Sequence, residues 1–195
     1  MKQDTDVADL YLTRFAHLMR LVLRNSRSKL VTLDVELKAI TLYVDIEKLR
    51  FDHGFNCEIV IDPGIDPEDT YIPPMLIQPY VENAIWHGLM HRKAPGELLI
   101  SVMRKGEKVE ILIQDNGVGR KRSAEIQKDT PLSKSYGTRI TNDRIGLISR
   151  SLQIDASVQI EDLYDDSGVA TGTRVVISLP NLNSAMAVRW LSEKE

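Results

Sequence analysis

The stretch VEILIQDNGVGR, residues 109–120, joins a strand-like run to an acidic residue and two glycines. Apolar and polar side chains alternate in its first positions, which predicts a β-strand with one buried face. Residues 98–103 alternate in the same way, and the intervening segment 104–107 contains a glycine, so the two runs predict an antiparallel hairpin. The second strand runs directly into Asp115, and the glycines after it allow a sharp turn and a close approach of a ligand to the backbone.

Helical periodicity occupies the region before the first strand. Apolar residues recur at three-and-four spacing from about residue 6 to residue 27, which predicts one long amphipathic helix. Thr32 is the predicted N-cap of a second helix, because Asp34 and Glu36 supply acidic side chains to its first turn. The N-terminal region is therefore predicted to form a helical hairpin. At residues 56–61 the pattern changes to a short β-rich run, where a different domain begins.

The remainder of the chain alternates between helix and strand signals. A helix is predicted from near Pro79 to Met90, and the polar segment 116–136 is long enough to be a functional lid or a disordered loop. A further helix is predicted over 138–152, followed by strands near 156–161 and 173–179. The last fifteen residues are expected to form a short helix or a tail.

Composition excludes several classes of protein. The 195 residues include 25 basic and 28 acidic side chains, so the net charge of -3 gives no field that favours nucleic acid. Cys57 is the only cysteine, which excludes an intrachain disulfide and suits a reducing cytosol. No apolar run approaches the roughly 20 residues that a membrane span requires. The chain is expected to be cytoplasmic, with no direct membrane contact.

The helix segment IQPYVENAIWHGL, residues 77–89, carries a carboxylate and an amide side by side. Asn83 offers a neutral carbonyl oxygen that suits Mg²⁺, an ion that keeps waters and takes other ligands from substrate phosphates. Glu82 is a candidate proton acceptor, or it orients a water molecule. His87 follows Asn83 by four residues, on the same face of an α-helix, and could touch a phosphate; a structural role is the favoured interpretation of this histidine.

Three glycine-containing segments offer candidate ligand contacts. Asp115 is a candidate for reading adenine, because an ionised carboxylate accepts a hydrogen bond from an amino group and rejects a carbonyl. Taken alone, Asp-Asn-Gly is also a common turn. Gly137 precedes a predicted helix, where free backbone amides favour a phosphate. Thr173 follows a glycine, and this pair is equally typical of a turn that enters a strand.

The order of these segments is more specific than any one of them. It resembles the ATP-binding domain shared by gyrases, ninety-kilodalton heat-shock chaperones, mismatch-repair ATPases and histidine kinases. Within that group, PPMLIQPYVENAIWHGL, residues 73–89, is similar to the LytS-like sensor histidine kinases, and the preceding helices match that family in type and order. The resemblance covers nearly the whole chain to about Pro180.

The resemblance implies a two-layer α/β sandwich of the Bergerat type, with a mixed sheet backed by helices on one face and ATP with its lid on the open side. It implies three parts: a partial helical dimerisation region at 1–53, an ATP-binding catalytic domain at 54–181, and a tail or short helix at 182–195. Residue roles are carried over by position. Asn83 would bind Mg²⁺, Glu82 would be the base, Asp115 would bind adenine, and the nucleotide would further contact His87, Gly117, Gly119, Gly137 and Thr173.

Two positions depart from the family pattern. Trp86 stands where many relatives have a lysine that reaches phosphate, and residues 135–137 keep one glycine of a pair. Other basic residues must then neutralise the charge of the phosphates, although each exposed basic residue is individually more typical of a solvated surface. The candidates are Arg92, Lys93, Arg120, Lys121 and Arg122.

The phosphate-accepting histidine of the family lies in a Pro-His-Phe segment, and this tripeptide does not occur in the chain. His17 lacks that context and is interpreted as structural. The resemblance therefore implies that the acceptor belongs to a longer parent, a homodimeric and membrane-bound sensor that passes the phosphoryl group to a response regulator. Autophosphorylation of the isolated chain is not expected.

Two other functions remain compatible with the residues. A degenerate module that binds nucleotide only to regulate a partner is compatible with Trp86 and with the shortened glycine signature. An ATP hydrolase related to gyrases or mismatch-repair proteins would need a glutamate about one helical turn before Asn83 to activate water. Pro79 occupies that place, which argues against hydrolysis.

Overall fold

The computed structural model describes residues 2–51, 54–127, 145–146, 149–150 and 154–192. Its elements follow the chain in this order: α1 (Lys2–Asn25), β1 (Val31–Thr32), α2 (Leu33–Lys48), β2 (Phe55–Ile61), β3 (Tyr71–Ile72), α3 (Gln78–Asn83), a π-helix (Ala84–Leu89), β4 (Gly96–Lys105), β5 (Lys108–Asp115), α4 (Arg120–Gln127), β6 (Ser157–Tyr164), β7 (Ala170–Pro180) and α5 (Ser184–Ser192).

The chain divides into two compact units. The first unit contains Met1–Asp52, Asp66–Gln78 and Leu182–Glu195, and the second contains His53–Ile65 and Pro79–Asn181. The domain boundaries expected from the sequence, after residues 53 and 181, stay predictions.

The first unit is built on the helical hairpin of α1 and α2, which confirms the sequence prediction. Thr32 caps α2 as predicted, since its hydroxyl accepts the N–H of Val35 at 3.4 Å. The start of α2 is also fixed from outside the helix: the N–H groups of Leu33 and Asp34 donate to the carbonyls of Thr70 (2.7 Å) and Pro67 (2.9 Å). Such bonds satisfy amides that have no partner within their own helix.

The segment before α3 adds a short antiparallel pair, in which β1 lies against β3. The backbone N–H of Tyr71 donates to the carbonyl of Leu182 at 2.7 Å, and the N–H of Ser184 donates to the carboxylate of Asp69 at 2.9 Å. These bonds hold the start of α5, so the last fifteen residues include a helix and are not only a tail.

The second unit contains a five-stranded sheet in the order β2-β4-β5-β7-β6. β2 and β4 run parallel, and every other neighbouring pair is antiparallel, so the predicted mixed sheet is confirmed. The predicted hairpin is also present, because β4 and β5 pair directly and Gly106 turns between them with a φ of +61°.

One face of this sheet forms the core of the second unit. The π-helix packs against β4, β5 and β7. Because side chains alternate between the two faces of a strand, every second residue of these strands is buried. The fully buried members are Leu98, Ile100, Val102, Val109, Ile111, Ile113, Ile177 and Leu179. The opposite face carries partly exposed residues, which agrees with the predicted two-layer α/β architecture.

Two predictions for the second half of the chain, the long loop after Asp115 and the helix over 138–152, lie only partly within the described residues. Part of the long polar segment after Asp115 is not a loop, because Arg120–Gln127 forms α4, which starts after Gly119 in a left-handed conformation (φ +76°). The remainder of that segment lies outside the described residues. Of the helix predicted over 138–152, residues 145–146 and 149–150 are helical, and the rest lies outside the described residues.

Among the described helices, none is long and apolar enough to cross a membrane.

Candidate functional site

Asp115 lies at the end of β5, the middle strand of the sheet, between Leu98 on β4 and Thr173 on β7. Only 4% of the residue is exposed. Its Oδ1 accepts the backbone N–H of Gly117 at 2.8 Å, and the backbone of Thr173 also hydrogen-bonds to the carboxylate. The carboxylate of Asp115 is therefore buried at the point where β5 ends and a turn begins, and it hydrogen-bonds to backbone groups.

The carboxylate of Asp115 lies on the helix-covered face of the sheet. It shares the pleat with the buried residues Ile111 and Ile113, which alternate with partly exposed neighbours along β5. The expected place of ATP, on the open side of the sheet, stays a prediction; what the structure gives is the helix-covered face for the side chain expected to read the base. The reason is the two-residue period of the strand, which fixes the side of Asp115 once Ile113 is in the core.

Three glycines enclose Asp115. A Cβ on Gly88 would stand 2.6 Å from Asp115 Oδ1, and a Cβ on Gly117 would stand 2.4 Å from the backbone of Gly88. A Cβ on Gly172 would stand 1.9 Å from the backbone oxygen of Asp115, and its φ of +145° is one that other residues rarely adopt. The π-helix, the turn after β5 and the start of β7 can approach each other only because these positions lack side chains.

Burial raises the pKa of Asp115 from its ordinary value of 3.8 to about 6, and the hydrogen bonds from the Gly117 and Thr173 backbone oppose part of this shift. The cause is the loss of solvation of the charged form, which a ligand carrying a hydrogen-bond donor would offset. Perturbed carboxyl groups of this kind are typical of functional sites.

This pKa predicts a specific dependence of stability on pH. Between about pH 4 and pH 6 the folded protein keeps the Asp115 proton that the unfolded chain has lost, so the free energy of unfolding falls as the pH rises across this window, by about 3 kcal/mol. Asp115→Asn is neutral throughout and should lack this component. Urea unfolding of both proteins at several pH values measures it, and a stability difference that does not change between pH 4 and 6 would contradict the assigned pKa.

The helix that carries Glu82 and Asn83 changes its geometry directly after them. α3 ends at Asn83, and Ala84–Leu89 is a π-helix in which the N–H of Met90 donates to the carbonyl of Ile85 at 2.9 Å. The single α-helix expected from Pro79 to Met90 is therefore wrong in its second half. In a π-helix the hydrogen bonds join residues five apart, so the turn is wider and the residues after Asn83 are rotated from the positions that an α-helix would give them. The shared face of Asn83 and His87 stays a prediction.

The π-helix also explains a residue that sequence reasoning missed. Gly88, and not His87, is the residue of this helix that lies against Asp115. A glycine inside a helical pattern costs about 1 kcal/mol relative to alanine, which was the available signal for a packing or functional role. His87 is more exposed, and its pKa is lowered by partial burial and by the nearby His91, so the ring is mostly neutral near neutral pH.

The other predicted site residues are distributed as follows. Gly117 and Thr173 lie beside Asp115, and Gly119 packs against Ala170, where a Cβ would stand 2.7 Å from the Ala170 Cβ. Glu82 and Asn83 are both half-buried on α3. Gly137 lies outside the described residues. Among the described residues, no group of three or more His, Cys, Asp or Glu could hold a metal.

Three of the five basic residues considered for phosphate contacts pair with other groups of the protein. Arg92 Nη1 donates to the carbonyl of Asn116 at 2.6 Å, and its Nε donates to the carbonyl of Pro95 at 3.2 Å. Arg120 binds Asp162 through two bonds, of 2.7 and 2.8 Å. Arg122 pairs with a glutamate on its own helix. Arg92 therefore holds the turn that follows Asp115, a role that the sequence did not reveal.

Replacing Arg92 tests this assignment. Arg92→Ala removes the bond to the turn and the bond to Pro95, and it should lower the free energy of unfolding by about 1–2 kcal/mol, because a charged donor to a half-buried carbonyl is lost. Arg104 is a matched control, since its Nε donates to the carbonyl of Gly106 at 3.2 Å in an exposed hairpin. Arg104→Ala should change stability by no more than about 0.5 kcal/mol. Equal losses in the two variants would mean that Arg92 has no special role.

Comparison with known proteins agrees with this geometry. Residues 1–55 match the family model described as histidine kinase. The sensor histidine kinase/phosphatase LytS of Staphylococcus aureus is 31% identical over 143 residues, which are 72% of this chain and 24% of LytS. The chain spans about a quarter of the length of the curated relatives that it matches.

Solved histidine kinases share the fold at low sequence identity. The histidine kinase domain of the blue-light-activated kinase EL346 from Erythrobacter litoralis superposes with a TM-score of 0.54 at 17% identity, covering 91% of this chain and 77% of that one. The catalytic domain of ThkA gives 0.52 at 12% identity, covering 78% and 95%. Full-length ShkA in complex with AMPPNP gives 0.53 at 12% identity, covering 93% and 37%. Since the matches by sequence and by fold agree, the chain belongs to the histidine kinase family and is a relative of the LytS-like sensor kinases.

Proposed function

We propose that the chain is the ATP-binding catalytic part of a sensor histidine kinase, and that it delivers the γ-phosphate of ATP to a histidine of a longer parent protein. The observation that carries the proposal is the buried Asp115 carboxylate, enclosed by Gly88, Gly117 and Gly172 at the end of the middle strand. A carboxylate with this pKa costs folding stability when no ligand is bound, which favours a role in recognition over a role in the fold.

Asp115 is proposed to select adenine. An ionised carboxylate accepts hydrogen bonds and donates none, so it favours the exocyclic amino group of adenine over the carbonyl that guanine presents there. Gly88 has no side chain beside Oδ1, where a Cβ would stand only 2.6 Å away, so the backbone of the π-helix can pack close to the carboxylate. The amino group would return to the charged carboxylate part of the solvation lost on burial.

Asn83 is proposed to bind Mg²⁺ through its side-chain oxygen. Described residues offer no cluster of acidic or imidazole ligands, and this fits an ion that takes most of its ligands from phosphates and water. Bound Mg²⁺ would neutralise charge on the phosphates during transfer. Glu82, which precedes Asn83 on α3, is proposed to accept the proton of the attacking histidine. His87, Gly117, Gly119, Gly137 and Thr173 are proposed to complete the nucleotide site.

In phosphoryl transfer the main role of the protein is to position the reacting groups. Phosphoryl transfer proceeds with the attacking and leaving atoms in line, so catalysis rests on alignment and on stabilising charge. We propose that the acceptor histidine lies in the parent protein and that an isolated chain binds ATP without phosphorylating itself. A homodimeric, membrane-bound parent and a response regulator as the next acceptor follow as proposals from the family.

The relatives support this choice of activity. LytS is named a sensor histidine kinase, and ShkA was solved with AMPPNP, an ATP analogue, in a fold shared with this chain. Hydrolysis by a gyrase-like route is disfavoured because Pro79 occupies the place of a water-activating glutamate. A regulatory module that binds nucleotide without transfer remains the alternative, and it differs from a kinase in having no need for Mg²⁺ at Asn83.

Calorimetric titration with AMPPNP, with and without Mg²⁺, tests the proposal. We expect saturable binding that Mg²⁺ strengthens, and we expect Asn83→Ala to remove the effect of Mg²⁺ while leaving metal-free binding in place. Asn56→Ala is the matched control, because this asparagine is exposed on β2 and far along the sequence from the proposed site. Nucleotide binding by the wild-type chain that does not respond to Mg²⁺ would favour the regulatory module, and no binding at all would contradict both functions.

A further inference from the structure

Glu36 is a buried carboxylate that the proposed reaction does not use. It lies in the first turns of α2, and only 2% of the residue is exposed. Its two oxygens accept backbone N–H groups from a distant part of the chain: Oε2 from Met75 at 2.9 Å and Oε1 from Ile77 at 3.1 Å. Charge-assisted bonds of this kind are stronger than bonds between neutral groups, so Glu36 ties α2 firmly to residues 75–77.

The segment that Glu36 holds has an unusual backbone conformation. Met75 has a φ of +55°, the only positive φ of a non-glycine residue in the described chain, and this conformation costs about 1–2 kcal/mol. Ile77 immediately precedes α3 and has no side-chain acceptor with which to cap it. The carboxylate of Glu36 accepts the N–H of Ile77 and so fixes the backbone directly before α3 begins.

The position of Glu36 is itself fixed independently of this segment. The N–H groups of Leu33 and Asp34 bond to the carbonyls of Thr70 and Pro67, and Thr32 caps the helix. The first turns of α2 are therefore anchored before Glu36 reaches Met75 and Ile77. The backbone position of Glu36 is therefore fixed, and its carboxylate can hold residues 75–77 in one place before α3 begins.

We propose that Glu36 is a positioning residue for Asn83, because it fixes the backbone from which the helix carrying Asn83 begins. Asn83 lies six residues after Ile77, which is about 9 Å along a helix at about 1.5 Å per residue. A small rotation or shift at residue 77 is carried along the short, rigid helix to the side-chain oxygen of Asn83. The role of Asn83 as the Mg²⁺ ligand belongs to the proposed function, on which this inference rests.

Glu36→Gln tests the inference, because an amide offers one oxygen where the carboxylate offers two. Calorimetric titration with AMPPNP should show metal-free affinity within about twofold of the wild type, since the base contact at Asp115 is untouched. The gain in affinity on adding Mg²⁺ should fall by roughly tenfold, in line with the sensitivity of a metal or catalytic contact to small displacements. A Glu36→Gln chain that keeps the wild-type gain would overturn the inference.

Glu47→Gln is the matched control. Glu47 is on the same helix and is 4% exposed, and its Oε1 pairs with Arg50 near the other end of that helix. The control should lose stability while keeping the full effect of Mg²⁺. If both variants lose the effect equally, Glu36 acts only through general stability and the inference is wrong. If Glu36→Gln does not fold, Glu36→Asp replaces it, because this variant keeps the charge on a shorter side chain. Glu36→Asp should show a partial loss of the Mg²⁺ effect. An unchanged Mg²⁺ effect in a folded Glu36→Asp chain would count against the role.

Hydrogen exchange separates this inference from the proposed function, because it needs no nucleotide. In the ligand-free chain, Glu36→Gln should speed exchange of the amides of Glu82 and Asn83 by about tenfold relative to Glu47→Gln, since α3 loses its fixed start. Unchanged exchange at these two amides would overturn the inference even if the wild-type chain binds ATP. Faster exchange in Glu36→Gln, combined with a wild-type chain that binds no nucleotide, would leave the positioning role intact and remove only the proposed function.

Discussion

Asp115→Asn is expected to weaken binding of an ATP analogue by about 100-fold, because a group that only accepts hydrogen bonds is replaced by one whose nitrogen only donates. The loss should appear in the affinity for adenosine and ADP as well, since the contact is to the base. The same variant should be more stable than the wild type in the absence of nucleotide above about pH 6, where the buried charge is removed. Lost binding combined with gained stability is the signature of a recognition residue.

A second aspartate provides a close control for this experiment. Asp62 Oδ1 accepts the N–H of Gly64 at 2.8 Å, the same local bond that Asp115 Oδ1 makes to Gly117. Asp62 lies just after β2 and is half-exposed, so Asp62→Asn changes the same chemical group without touching the site. It should leave nucleotide affinity within about twofold of the wild type. Equal affinities of the Asp115 and Asp62 variants would refute the assignment of Asp115 to the base.

Gly172→Ala is expected to have the largest effect on folding. A methyl group there would lie 1.9 Å from the backbone oxygen of Asp115, at the end of the pairing between β5 and β7, and the backbone has a φ of +145°. Neither a backbone oxygen nor a central strand can move aside cheaply, so the free energy of unfolding should fall by more than about 3 kcal/mol. Urea unfolding followed by circular dichroism measures this loss.

Gly168→Ala separates the steric clash from backbone strain. Gly168 has a φ of +79° in the turn before β7, and a Cβ there would meet nothing within 4 Å. This control should cost only the strain of a left-handed residue, about 1–2 kcal/mol. If Gly172→Ala were no more destabilising than Gly168→Ala, the close packing of β7 on Asp115 would be wrong.

The sheet, the hairpin and the order of the motifs were predictable because they depend on periodicity and on turn chemistry. Alternation in the strands on either side of Gly106 determines both the hairpin and the buried face, and Thr32 with its acidic first turn determines the start of α2. Asp115 was singled out for the same reason, since a carboxylate at the end of an apolar strand is visible in the sequence.

The π-helix was not predictable from the same signals. Its apolar residues are equally compatible with an α-helix, because the two forms differ in hydrogen bonding and not in composition. The α-helical interpretation did not anticipate that the π-helix brings Gly88 against Asp115. The face on which Asp115 lies could have been deduced from Ile113, whereas the expected place of ATP on the open side of the sheet stays a prediction.

Contacts between distant residues account for the other differences. Arg92 was considered for a phosphate, but its partner is the carbonyl of Asn116, 24 residues later, and nothing local in the sequence indicates that pairing. The two bonds from residues 75 and 77 to Glu36 span about forty positions. The pairing of β1 with β3 involves two residues on each side, which is too short to produce a periodic pattern.

Discrimination between AMPPNP and GMPPNP by the wild-type chain is the most direct test of the central claim, that Asp115 makes this an adenine-nucleotide site. Calorimetry in the presence of Mg²⁺ should give saturable binding of the adenine analogue and at least about 100-fold weaker binding of the guanine analogue, because a carboxylate facing the guanine carbonyl leaves two acceptors unpaired. Equal affinity for the two analogues, or no binding of either by a folded chain, would contradict the account.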